Sequence, residues 1–136
     1  MEKIIGLDIG QKRIGVAVSD SLGLTAQGLI TINRVGKKKD LDEIGQIIEQ
    51  YDIKKVVVGL PLNMDGSMGE SCEMVKKFAE KVKNKFNVEI IYVDERLSTV
   101  SATRVLLEAN VSRENRKHVV DKVAASYILQ SYLDRK

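Results

Sequence analysis

Apolar positions along this chain change period once, and the change divides the sequence into two kinds of element. Up to residue 33 they come in short β-type runs, "IIGLDI", "RIGVAVS" and "LTAQGLITIN", which predict strands over 3–9, 13–19 and 24–33. The break Gly10-Gln11-Lys12-Arg13 has the length of a hairpin turn, so the first two strands are expected to pair antiparallel. Beyond it, Leu41, Ile44, Ile47 and Ile48 fall on one face of a helix over 38–50, and the run from Lys55 to Leu60 follows as a buried strand. Met74, Val75, Phe78, Ala79 and Val82 repeat the helical spacing over 70–85, and residues 88–93 read as another fully buried strand. Two helix-then-strand units imply parallel crossovers. Helices over 100–109 and 119–133 close the pattern, separated by the polar stretch 110–118.

A hairpin meander followed by crossovers makes an α/β fold: a five-stranded mixed sheet of order 3-2-1-4-5, its second strand antiparallel to the rest, with helices on both faces. The first strand is central. In such sheets ligands bind beyond the carboxyl ends of the central strands, where the connections diverge. Asp8 stands at that end of an otherwise apolar run.

Composition narrows the picture. A chain of 136 residues with 43% hydrophobic and 30% charged positions has the size and balance of one domain, 1–136, able to bury a core without staples. No apolar run nears the ~20 residues of a membrane span, and no signal-peptide pattern opens the sequence. The single Cys72 has no partner for a disulfide and no ligand neighbour at metal-site spacing; it reads as a small helix residue of a cytoplasmic protein. A net charge of +3 is only weak evidence for a polyanionic partner.

Two other acidic features are candidates to meet Asp8. Asp94 and Glu95 end the last strand, and alternation allows only one of them to share the face of Asp8. Asp121 shares a helical face with Ala124, Ala125 and Ile128, small and apolar residues suited to close packing on the sheet. Bland roles exist for each: a turn former at Asp8, an Arg96 partner at Asp94 or Glu95, a helix N-cap at Asp121. They do not explain acids at the ends of three core elements on one side of one sheet. Such a cluster calls for a cation, and all-oxygen ligation selects Mg²⁺ or Mn²⁺ over Zn²⁺. Two such ions ~4 Å apart are the clamp of in-line phosphodiester displacement.

Four stretches, "LDIG" with "RIGVA" (7–10 and 13–17), "GLPLNMDGS" (59–67), "DERLST" (94–99) and "DKVAA" (121–125), resemble in order the motifs of the YqgF family. These are RNase H-like bacterial proteins associated with Holliday-junction resolution and with maturation of the 5′ end of pre-16S ribosomal RNA. The resemblance spans essentially the whole chain. It implies an RNase H-like nuclease domain, a catalytic and metal-binding triad of Asp8, Glu95 and Asp121, and a place in ribosome biogenesis. The choice between Asp94 and Glu95 rests on that resemblance alone.

Around the acids, Arg13 and Arg96 suit phosphate oxygens. The resemblance favours Asn63 and Ser67 as substrate contacts over an ordinary Asp65-Gly66 turn. Residues 113–118, with Arg116 and Lys117, read as a basic loop beside the site, and His118 as incidental rather than a proton carrier. Aromatics are few, Tyr127 and Tyr132 are expected to pack or cap the last helix, and no base-stacking platform is apparent. A compact basic patch favours one RNA strand over branched DNA, whose arms need a broad surface that a dimer commonly supplies; the sequence leaves monomer and homodimer open. Two rivals remain. "LDIG" before a hairpin also resembles the first phosphate motif of actin-like ATPases and sugar kinases, but those close two such domains on the nucleotide. A non-catalytic nucleic-acid-binding module would leave three retained acids unexplained.

Overall fold

The computed structural model describes residues 3–62, 65–94 and 113–135, with the side chains of 113–120 outside that description. Five strands, β1 (Ile4–Ile9), β2 (Arg13–Ser19), β3 (Ala26–Asn33), β4 (Lys55–Leu60) and β5 (Glu89–Asp94), form one sheet of order β3-β2-β1-β4-β5. β2 pairs antiparallel with β1 and β3, while β4 pairs parallel with β1 and β5. The sequence-derived topology is therefore observed in full. Every residue of β1 is buried, as a central strand covered on both faces must be.

Helices α1 (Lys37–Tyr51) and α2 (Glu70–Phe86) cover one face of the sheet, and α3 (Arg113–Asp134) covers the other. Strand alternation sorts the core accordingly. Ile5, Leu7, Ile9, Val16, Val56 and Val58 join α1 and α2, while Ile4, Ala17, Val57 and Val93 join Ala124, Ala125, Ile128 and Leu129 of α3. Asp52 and Asn87 end α1 and α2 in the left-handed conformation, a common stop signal that Asn tolerates well. Among the described residues no helix is long and apolar enough to cross a membrane.

Three local expectations are corrected. β3 begins at Ala26 rather than at residue 24, because Asp20 takes Leu24 and Thr25 into a turn: its carboxylate accepts the Leu24 N–H (2.9 Å) and the Thr25 hydroxyl (2.9 Å). The fifth strand is not fully buried; it is an edge strand in which Val93 alone is buried. The basic stretch 113–118 is not a loop but the first turns of α3. Apolar periodicity reports burial, not helicity, and Arg, Glu and Lys are good helix formers. Asp121 consequently lies in the third turn of α3 and is not an N-cap. The helix expected over 100–109 lies outside the described residues.

Candidate active site

Alternation along β1 places Asp8 on the α3 face, next in line after Ile4 and Gly6. Its carboxylate would be costly there without compensation, since Asp8 is only 9% exposed. What brings a second acid to it is a pair of glycines. A Cβ at Gly6 would stand 2.7 Å from the Leu129 Cβ, and a Cβ at Gly15 would collide with the backbone carbonyl of Asp121. Gly15 is the register partner of Asp8 across the β1–β2 ladder. The backbone of α3 therefore rests directly on the Asp8–Gly15 rung, with Asp121 at the point of contact.

Asp8 and Asp121 line one open cleft of about 400 Å³ at the carboxyl end of β1. The 10–13 turn forms one wall, with Lys12 and Arg13, and Pro61 after β4 together with Ser71 and Met74 of α2 forms the other. Arg13 reaches across to Asp121, donating from Nε to Oδ2 at 2.7 Å, with both side chains largely shielded. The turn itself is held from behind. Gly10 N–H bonds the Arg13 carbonyl (2.9 Å), and Arg34 donates from Nη1 to the Gly10 carbonyl (2.8 Å) and from Nε to Asp40 (3.0 Å). Asp40 is 1% exposed and also accepts the Val35 N–H (3.1 Å), while the Arg34 guanidinium lies 4.9 Å from the Phe78 ring centroid.

Of the residues singled out in the sequence, Asp8, Asp121 and Arg13 come together here, Arg13 as the partner of Asp121. Val93 faces α3, so Asp94 points to the opposite face of the sheet and is not the third acid at Asp8. Glu95, Arg96 and Asn63 lie outside the described residues, as do the side chains of Arg116, Lys117 and His118. Ser67 is not brought into the cleft; its hydroxyl and N–H both bond Asp65 Oδ1, at 2.6 and 2.8 Å, across the turn at Gly66. Sequence reasoning missed Ser71, Lys12 and the Arg34–Asp40 brace. Ser71 had one usable signal, its place in the first turn of the helix after β4, where backbone N–H groups face a ligand.

Two oxygen donors of one chemical kind at one cleft fit a hard divalent cation, which takes carboxylate and water oxygens. Among the described residues no group of three or more His, Cys, Asp or Glu that could hold a metal ion is found.

Residues 2–135 match the family described as "RuvX: Holliday junction resolvase". The chain belongs to the RuvX family. This is the family, also called YqgF, that its motifs resemble. A Clostridioides difficile (strain 630) protein named "Putative pre-16S rRNA nuclease" is 57% identical over 134 residues, covering 98% of this chain and 95% of the relative. A Clostridium beijerinckii protein of the same name is 53% identical over 132 residues, covering 97% and 96%. Among solved structures, T. thermophilus RuvC in complex with Holliday junction substrate superposes with a TM-score of 0.62 at 10% identity, covering 99% of this chain and 96% of the other. The Fowlpox virus resolvase, complexed with Holliday junction DNA, gives 0.59 at 14% identity, covering 98% and 97%. These likenesses show the fold of the family: RNase H-like, as in RuvC-type resolvases.

Proposed function

We propose that this chain is a cytoplasmic, metal-dependent nuclease that cuts a phosphodiester bond of pre-16S ribosomal RNA at its 5′ end. The observation that carries the proposal is the meeting of Asp8 and Asp121 in one cleft, from elements 113 residues apart in sequence, with Arg13 bonded to one of them. The names of relatives at 53–57% identity support the RNA substrate.

In this reading Asp8 and Asp121, with Glu95 as the third acid of the family resemblance, hold Mg²⁺ or Mn²⁺. The bound ions would lower the pKa of a water and steady the leaving oxygen, the chemistry of a two-metal site. The chain's own residues do the positioning. Asp8, fixed in a central strand, presents its carboxylate oxygens in a nearly buried setting where charge interactions are strong. Arg13 holds the Asp121 carboxylate in one orientation through its Nε. Lys12 and Arg13 on one wall supply positive potential to the phosphate. Asn63, Ser67, Arg96, Arg116 and Lys117 are assigned to the flanking strand.

A second reading, resolution of four-way DNA junctions, is favoured by the description of the matched family. Incubation of purified protein and Mn²⁺ with labelled ribosomal RNA precursor and a four-way junction, side by side, decides between them. Cleavage at the 5′ end of the RNA is the expected result; symmetric nicks in the junction with intact RNA would replace the first reading by the second.

A further inference from the structure

Behind the cleft, α2 and the start of α1 enclose a groove that none of the proposed chemistry uses. It has two lobes of about 260 and 400 Å³, which share Lys37, Lys77 and Lys81. The nearer lobe and the catalytic cleft both border Met74 of α2. The farther lobe holds four lysines, Lys76 being the fourth, against the single acid Glu80. None of the four makes an ion pair with a described carboxylate. The charge of Lys37, then desolvation and Lys77, hold the Lys81 pKa below the usual lysine range.

A second observation is independent of these charges. Tyr92 lines the same lobe, and its hydroxyl is shielded from solvent with no hydrogen-bond partner among the described residues. The Lys76 Nζ stands 5.7 Å from the centroid of its ring. A buried donor without an acceptor is unusual, and here it stands among crowded cations. Phosphate oxygen satisfies both needs: it accepts from the phenol and neutralises the ammonium groups.

We propose that the groove between α1 and α2 is a backbone track, in which Lys37, Lys77, Lys81 and the Tyr92 hydroxyl hold phosphates of the RNA strand flanking the cut. This rests on the nuclease reading for the identity of the strand. From Met74 to Lys81 the track runs ~10 Å along α2, room for the phosphates of successive nucleotides. Glu70 and Glu73 line the nearer lobe, so the strand is gripped at the lysine end and not at every step.

The test is fluorescence anisotropy in chelator, which keeps cleavage off, using the full chain and its Lys37→Gln/Lys77→Gln/Lys81→Gln variant. The probes are an RNA of ~20 nucleotides and one of ~6 that fills the cleft alone. For the long RNA the variant should bind ~10-fold more weakly, with a salt slope smaller by ~2, while the short RNA is bound as before. Lysine-to-arginine replacement at the same three positions should restore binding, and Tyr92→Phe should weaken the long RNA ~3-fold with no change in slope. Equal affinity and slope for variant and wild type would overturn the track, as would loss confined to a four-way DNA junction or failure of the wild type to bind RNA at all. The nuclease reading stands apart: a wild type that binds RNA through these lysines but cuts nothing in Mn²⁺ would refute that reading and keep the track.

Discussion

Asp8 and Asp40 are both nearly buried aspartates set in different surroundings. Asp40 is fully used by the fold: Arg34 and the Val35 N–H take its oxygens, and Arg34 in turn anchors the Gly10 turn. Asp40→Ala leaves Arg34, whose side chain is 12% exposed, as an unpaired buried charge. It should cost about 3 kcal/mol in urea unfolding at pH 7. Asp8 lines an open cleft together with another acid, Asp121. Asp8→Asn removes a like charge and should leave the melting temperature equal or higher while abolishing cleavage. The sequence revealed Asp8 because a carboxylate interrupts an apolar strand. It hid Asp40, which sits in "KKKDLDEI" among residues that read as solvated, because its burial depends on an arginine arriving from the end of β3.

At the scale of elements, the site exists because α3 lies unusually close to β1 and β2. Gly6, Gly15 and Gly28 on the sheet each meet α3 where a Cβ would be crowded, and Ala124 and Ala125 are buried from the helix side. Gly15→Ala forces the Asp121 backbone outward. It should destabilise the fold by about 1–3 kcal/mol and, by moving one carboxylate ~1 Å, slow cleavage ~100-fold. A melt and a single-turnover rate on the same preparation check both effects. The strand order was readable because hairpins and crossovers admit few arrangements. The start of α3 was not, since its first turns carry charge without apolar spacing; nor was the partial exposure of β5, whose apolar run resembles that of a buried strand.

The whole molecule has two chemically distinct regions that border α2, the acidic cleft and the lysine groove, and pH tells them apart. Burial, then Glu80 and Cys72, raises the pKa of Tyr92 above its ordinary value of 10.0. The folded state therefore keeps the phenolic proton where the unfolded chain has lost it. The resulting stability is complete below pH ~10 and is lost as pH rises through the folded-state value. Denaturant titrations should show stability falling above that pH in wild type and falling less in Tyr92→Phe.

If Asp8 and Asp121 act as one unit around a divalent cation, a double-mutant cycle on cleavage shows it. Single-turnover cutting of ribosomal RNA precursor is measured at saturating Mn²⁺ for wild type, Asp8→Asn, Asp121→Asn and the double variant. The expected result is a loss of at least ~1000-fold for each single variant, with the double no slower than either, since residues that act together are non-additive. Wild-type rates in either single variant, or losses that multiply in the double, would contradict a shared site.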